Sequence, residues 1–125
     1  MAAKFEIKIA KNGDYMFNLF APNGRVIATS ETYTTLQNCK GGIDSVRRNS
    51  LAHVEDQTVS GYVSLPCPKY EIYLDKEGKF RFRLKASNGE IICASQGYTV
   101  KASAQTGIAS LGENAPKAEI VFLEQ

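Results

Sequence analysis

The chain has 125 residues, of which 43% are hydrophobic and 22% are charged, and its net charge is +2. This composition excludes a disordered protein, and no apolar run approaches the roughly 20 residues that a membrane span needs. The charge is too small to predict a nucleic-acid-binding protein by itself. We therefore expect one globular domain with a single core.

The N-terminus and the cysteines indicate the compartment. The first residues contain no apolar signal core, so we expect a cytoplasmic protein. The three cysteines, Cys39, Cys67 and Cys93, are odd in number and far apart. This pattern argues against a disulfide framework and against a zinc site, so we expect free thiols, no metal and no cofactor.

An internal repeat dominates the sequence. Residues 4–50 align with residues 69–115 at a constant offset of 65 without a gap, and 18 of the 47 aligned positions are identical. A repeat of this length predicts two structural units related by internal pseudo-symmetry. We place repeat one at residues 4–56, a hinge at residues 57–68 and repeat two at residues 69–123, all within a single pseudo-symmetric domain.

Each repeat begins with three predicted strands, because apolar and polar residues alternate with the period of two that a strand requires. Residues 11–13 fit a type I turn followed by a left-handed glycine, and residues 76–78 repeat it. Asn23-Gly24 predicts a two-residue type I′ turn. In that register Val26 and Ala28 point inward, and Ile27 points outward.

A helix and a fourth strand are predicted after the third strand of each repeat. Apolar residues recur at helical spacing between residues 36 and 46, and again between residues 104 and 111. Gly42 and Gly107 fall in the middle of these helices, where glycine costs about 1 kcal/mol relative to alanine. We therefore expect the helices to approach the sheet closely there. Each repeat has the order β-β-β-α-β.

The skeleton shared by both copies reads K-x-E-I, K-x-G, F-x-L-x-A-x-N-G-x-x-I-x-x-S-x-x-Y-T, G-I-x-S and a final Asn. It resembles the YegP-like family of uncharacterised bacterial and archaeal proteins. The resemblance implies tandem β3-α-β motifs, or a dimer of single motifs, in one continuous antiparallel sheet with exchanged C-terminal strands. It implies no activity and no catalytic residue.

We therefore expect an α+β fold in which tandem β-β-β-α-β repeats form one antiparallel sheet of about eight strands, with both helices on one face. The C-terminal strands are exchanged between the repeats. The predicted core consists of inward-facing aromatic and aliphatic residues, namely Phe5, Ile7, Phe17, Leu19, Ile43, Ile72, Phe82, Leu84, Ile108 and Ile120.

Few residues suggest catalysis. His53 is the single histidine, and we expect it on an edge strand or facing solvent. Several polar residues occur in both copies, where they either line two symmetric pockets or bond backbone groups at helix ends. A serine and a tyrosine without a positioned base do not indicate a hydrolase, so we expect no enzyme. The repeated residues are Ser30, Tyr33, Ser45 and Asn49, with Ser95, Tyr98, Ser110 and Asn114.

Two surfaces are candidates for binding. Arg81, Arg83 and Lys85 alternate along one predicted strand beside Tyr73, as in sheets that bind single-stranded nucleic acid. We call these four residues the basic face. The register sets Arg81 opposite Tyr73 and Arg83 opposite Glu71, so cross-strand partners also explain two of the cations.

The second candidate surface is an apolar patch formed by Met16, Phe20 and Ile27 on the outward side of repeat one. Such a patch is able to dock a protein partner or a second copy of the chain. Our leading hypothesis is a small non-catalytic binding or protein-interaction module that uses the open face of the sheet. Single-stranded nucleic-acid binding through the basic face is the alternative, and no membrane partner is expected.

Overall fold

The computed structural model describes residues 2–123. Repeat one contains β1 (Lys4–Ile9), β2 (Tyr15–Phe20), β3 (Val26–Ser30), α1 (Leu36–Asn49) and β4 (Val54–Asp56). Repeat two contains β5 (Lys69–Leu74), β6 (Phe80–Lys85), β7 (Ile91–Ala94), α2 (Lys101–Asn114) and β8 (Glu119–Phe122), with a short 3-10 helix (Ala115–Lys117) before β8. The predicted α+β fold and its order of elements are confirmed.

All the strands belong to one sheet with the order β4-β5-β6-β7-β3-β2-β1-β8. The last strand of each repeat lies beside the first strand of the other repeat, so the predicted exchange is confirmed. The sheet is mixed and not antiparallel as predicted, because β4 runs parallel to β5 and β8 runs parallel to β1. A tight hairpin loop forces antiparallel pairing, whereas β4 and β5 are joined by the long hinge and β1 and β8 by most of the chain, which leaves their direction open.

The pseudo-twofold axis passes through the contact between β3 and β7. Thr29 pairs there with Ala94, which is the same position in the other repeat. Side chains next to this pair on the helix side, such as Ala28 and Cys93, are buried. The two repeats therefore share one core beneath both helices.

The predicted core is buried with two exceptions. Eight of its ten members are at most 1% exposed. Ile108 is half-buried, and Ile120 is 39% exposed because it lies on the edge strand β8. Leu111 is fully buried on α2 one turn after Ile108.

The turn at Asn23-Gly24 differs from the prediction. The amide of Ala21 donates to the Arg25 carbonyl at 2.8 Å, and only Gly24 has a positive φ, of 85°. This is the same type I turn with a left-handed glycine that residues 11–13 form, and Pro22 favours it because proline fixes the φ of the first turn position.

The longer loop adds a bulge to β3, which reverses two side chains. Leu19 pairs with Ala28 but Phe20 pairs with Val26, so Ile27 is the extra residue. Ile27 is 5% exposed and belongs to the core, whereas Val26 is 38% exposed. The predicted inward Val26 and outward Ile27 are therefore both wrong.

The mid-helix glycines lie where the helices touch the sheet. A Cβ placed on Gly42 would lie 2.7 Å from the Tyr33 ring and 3.2 Å from that of Phe17. A Cβ on Gly107 would lie 2.8 Å from the ring of Phe82. The predicted close approach is confirmed at both positions.

Candidate functional site

The basic face lies on the sheet surface opposite the helices. Tyr73 is on β5, and the three cations follow one another at alternate positions of β6. The register sets Arg81 opposite Tyr73 and Arg83 opposite Glu71, as predicted. Tyr73, Arg81, Arg83 and Lys85 are all half-buried, so the structure brings these four residues together.

Each cation of the basic face has a carboxylate partner. The Nε of Arg81 lies 2.7 Å from Oδ2 of Asp75. The Nε of Arg83 lies 2.6 Å, and the Nζ of Lys85 3.2 Å, from the same Oε1 of Glu71. Much of the positive charge that a phosphate would require is thus already neutralised within the sheet.

The aromatic ring of the basic face is also occupied. The guanidinium carbon of Arg83 lies 4.1 Å from the centre of the Tyr73 ring, which is a cation–π contact. A nucleic-acid base would have to displace Arg83 to stack on this side of the ring. Burial alone would raise the pKa of Glu71, but the bonds from Arg83, Lys69 and Lys85 outweigh burial and lower it.

The hinge is attached to the same surface at the β4 end of the sheet. The carboxylate of Glu55 accepts hydrogen bonds from Nε2 of Gln57 at 2.6 Å, the amide of Leu65 at 2.6 Å and Nζ of Lys69 at 2.7 Å. The same Nζ lies 3.1 Å from Glu71. We call Glu55, Lys69 and the hinge residues bonded to Glu55 the hinge latch.

The two charged residues of the hinge latch are buried although they lie on the face without helices. Glu55 is 3% exposed and Lys69 is 6% exposed. Burial alone would raise the pKa of Glu55, but the bonds from Gln57, Lys69 and Leu65 lower it to about 2. Sequence analysis missed this cluster because residues 57–68 had been assigned only a connecting role.

The predicted apolar patch does not form as expected. Met16 and Phe20 are half-buried on the face opposite the helices, and the ammonium of Lys4 lies 5.4 Å from the centre of the Phe20 ring. Ile27 is not beside them, because the bulge in β3 turns it into the core. A contiguous patch of these three residues is therefore a wrong prediction.

The repeated polar residues mostly satisfy backbone groups. The Ser30 hydroxyl accepts from the amide of Phe17 at 2.9 Å and donates to the carbonyl of Glu31 at 2.7 Å, and the serine of repeat two makes equivalent bonds. Asn49 donates to the Ser45 carbonyl at 2.9 Å, again with an equivalent in repeat two. These contacts favour the structural interpretation of the repeated residues.

The repeated tyrosines and the histidine lie in different surroundings. Burial, followed by the nearby Cys39 thiol, raises the pKa of Tyr33 to about 12. Tyr98 and Ser110 line an open groove of about 450 Å³ between β3 and α2, with Arg25 at its rim. His53 is exposed, and its Nε2 lies 2.8 Å from the carbonyl of Pro66.

Residues 2–123 contain neither a cluster of metal ligands nor a membrane-spanning helix. No group of three or more histidine, cysteine, aspartate or glutamate residues in this range is arranged to hold a metal ion. In the same range, neither helix has the length and apolar character required to cross a membrane.

The edge of β8 is a surface that the sequence analysis missed. Ile120 and Phe122 are each 39% exposed, and the following Leu123 is 46% exposed. The amide of Leu123 donates to the Ile7 carbonyl on β1 at 2.8 Å. Because amides alternate in direction along a strand, those of Ile120 and Phe122 face away from the sheet. The strand was predictable, but its edge position depends on the sheet order.

The opposite edge, β4, is protected. It has three residues, two of them acidic, and its Glu55 holds the hinge. Val54 on β4 corresponds to Ile120 on β8, because they pair with equivalent residues of β5 and β1. The chain thus contains a short, acidic edge at β4 and an apolar edge at β8, both built from the same element.

Comparisons with known proteins agree with this architecture. The model of the DUF1508 family, a domain of unknown function, matches residues 10–56 and 75–121. A UPF0339 protein of Pseudomonas aeruginosa is 40% identical over 118 residues, which cover 94% of each chain. A UPF0339 protein of Methanosarcina acetivorans is 55% identical over 56 residues, which are 45% of this chain and 97% of that protein.

The fold is also similar to a solved structure. The solution NMR structure of yegP from Escherichia coli, a protein of unknown function, superposes with a TM-score of 0.80 at 37% identity. The alignment covers 98% of this chain and 93% of yegP. The predicted resemblance to the YegP-like family is confirmed.

Proposed function

This chain belongs to the DUF1508 family, and we propose that it is a small non-catalytic protein-interaction module that binds an extended segment along the open edge of β8. The observation that carries the proposal is the edge of β8 itself, which is exposed and apolar and pairs with no further strand within residues 2–123. We also propose that the repeats 4–56 and 69–123, with the hinge 57–68, work as one pseudo-symmetric domain.

Strand addition fits the chemistry of β8. Folded proteins protect their sheet edges with charges, short strands or covering segments, and β4 is short and carries two acidic residues. On β8 the single charged residue is Glu119, at the start of the strand. The outward amides of Ile120 and Phe122 are available to an added strand, as in other proteins that extend a sheet with a peptide.

The side chains of β8 supply specificity on both faces of the sheet. Ile120 and Phe122 lie on the helix side, because they pair with the buried Phe5 and Ile7. Val121 lies on the other side. An added strand with apolar residues at consecutive positions would extend the apolar surface on both sides of the sheet.

The non-catalytic part of the proposal is supported by how the reactive groups are used. The hydroxyl of Ser30 is engaged with backbone groups, and the raised pKa of Tyr33 keeps its phenol protonated near neutral pH. General acid–base catalysis requires a group whose pKa lies near the working pH and that reaches the substrate.

The test is selection from a random peptide library on the folded protein, followed by amide hydrogen exchange of the complex. Selected peptides should slow exchange at Ile120 and Phe122. Phe122→Lys should abolish binding, whereas Val54→Lys, at the opposite edge of the sheet, should retain it. Peptides that bind elsewhere, or that bind both variants equally, would refute the proposal.

Single-stranded nucleic-acid binding through the basic face is the second candidate. It is favoured by Arg83 and Lys85 sharing one oxygen of Glu71, which leaves an excess of positive charge. A salt titration of fluorescent single-stranded RNA and DNA tests it. Our leading proposal expects no salt-sensitive binding; binding that weakens steeply with salt and is lost when all three cations become alanine would establish the alternative.

A further inference from the structure

We infer that the segment added to β8 is the β8 strand of a second copy of this chain, paired antiparallel about a twofold axis. This inference rests on the proposed function. The partner is identified because β8 of one copy is complementary to β8 of another.

The directions of the backbone groups restrict how two copies can pair. With a twofold axis perpendicular to the sheet, the helices of both copies lie on the same side. Residues that face each other across the two strands must then point to the same side of the sheet. Because side chains alternate between the two sides along each strand, the axis has to pass through a residue and not between two residues. The hydrogen-bonded pairs must involve Ile120 and Phe122, because their amides face outward.

An axis at Val121 satisfies these conditions with apolar pairs. Ile120 of each copy faces Phe122 of the other, and the two Val121 side chains face each other across the axis. In each of the two Ile120–Phe122 pairs, the amide of each residue donates to the carbonyl of the other. Four hydrogen bonds therefore join the two strands. Pairing of an aromatic with a β-branched side chain is favourable in antiparallel sheets.

Charge selects the same register. With the axis at Val121, Glu119 faces Leu123, and the two Glu119 positions are four residues apart, about 14 Å along the strand. That separation exceeds the screening length of roughly 8 Å at physiological salt. An axis at Ile120 would bring the two glutamates to about 7 Å and would set Phe122 opposite Ala118.

The contact is small, so the dimer should be weak. β8 has four residues, which places the pairing at the low end of interface sizes. We expect a dissociation constant on the order of 0.1 to 1 mM.

The experiment combines sedimentation equilibrium with amide hydrogen exchange between about 10 μM and about 2 mM chain, a range that spans this constant. The mean mass should rise with concentration, and exchange at Ile120 and Phe122 should slow in parallel. The amides of Val121 and Leu123 should be protected throughout, since they face β1.

Two variants make the result specific. Ile120→Lys should keep the chain monomeric over the whole range, while Val54→Lys on β4 should behave as the unaltered chain. Circular dichroism verifies folding, and Phe122→Lys replaces Ile120→Lys if the latter unfolds. Both positions are 39% exposed, so lysine is compatible with the monomer.

The outcomes separate the inference from the proposed function. A chain that stays monomeric, with rapid exchange at Ile120 and Phe122 at the highest concentration, overturns self-pairing. If selected peptides still protect these amides, strand addition stands with a different partner. If neither copies nor peptides protect them, both proposals fail. Dimers that persist in Ile120→Lys and Phe122→Lys would show another interface and also overturn the inference.

Discussion

We predict that Glu55 in the hinge latch makes a pH-dependent contribution to the free energy of unfolding. Its carboxylate accepts three bonds, and a charge-assisted bond contributes about 1.5–3 kcal/mol. In Glu55→Gln the side-chain amide oxygen still accepts hydrogen bonds from one side. The NH₂ group that replaces the other oxygen cannot accept from the donors that it faces. Lys69 keeps its contact with Glu71. We therefore expect the free energy of unfolding to fall by about 2–3 kcal/mol at pH 7.

The pH dependence identifies the cause. Because the folded chain lowers the pKa of Glu55 from 4.5 to about 2, the unfolded chain binds more protons between these values. The stabilisation is fully present above the unfolded pKa and is lost as pH falls toward the folded one. Urea unfolding from pH 7 to pH 2 should show the difference between the unaltered chain and Glu55→Gln shrinking below about pH 5.

A matched control and a local probe complete this test. Glu119→Gln removes an exposed carboxylate on β8 and should leave the stability unchanged. Exchange at the Leu65 amide should accelerate in Glu55→Gln, since that amide donates to the carboxylate. A pH-independent loss, or unchanged exchange at Leu65, would refute the reasoning.

Two further predictions concern packing and thiols. Gly42→Ala should lower the free energy of unfolding by about 1–3 kcal/mol, since the new Cβ would meet the Tyr33 ring. Gly41→Ala, where nothing lies within 4 Å of the new Cβ, should raise it by up to about 1 kcal/mol; equal effects in urea unfolding would contradict this. In the folded chain Cys67 should react first with a disulfide reagent, and rapid modification of more than one thiol would count against it. Cys39 and Cys93 should react slowly, because burial raises the pKa of their thiols to about 11 and about 12, respectively.

The parts of the fold that depend on local patterns were predictable. Two strands joined by a short loop fix their own register, so the pairing of Arg83 with Glu71 followed from the sequence. The close helix approach at Gly42 followed from the cost of a mid-helix glycine. The type I′ prediction at Asn23-Gly24 was wrong because the loop is one residue longer, as it also is at Asn88-Gly89, and this one-residue difference moved Ile27 from the surface to the core.

Features that join distant segments were not predictable in the same way. The parallel direction of β4 and β8 depends on how each helix returns the chain to the sheet. The burial of Glu55 depends on Leu65, which lies in a segment without a repeat counterpart. The exposure of Ile120 depends on sheet order, since an apolar strand has the same pattern at an edge as beneath a neighbour.

The two sheet edges show how a duplicated fold acquires different surfaces. Glu55 on β4 and Val121 on β8 occupy equivalent positions, each one residue after the paired Val54 and Ile120. Glu55 adds a charge to its edge strand and bonds the hinge, whereas the Val121 side chain is apolar and has no acceptor for such bonds. Because the remaining pairing is equivalent in both repeats, this substitution makes one edge acidic and the other apolar, and it is the reason why we propose strand addition at β8.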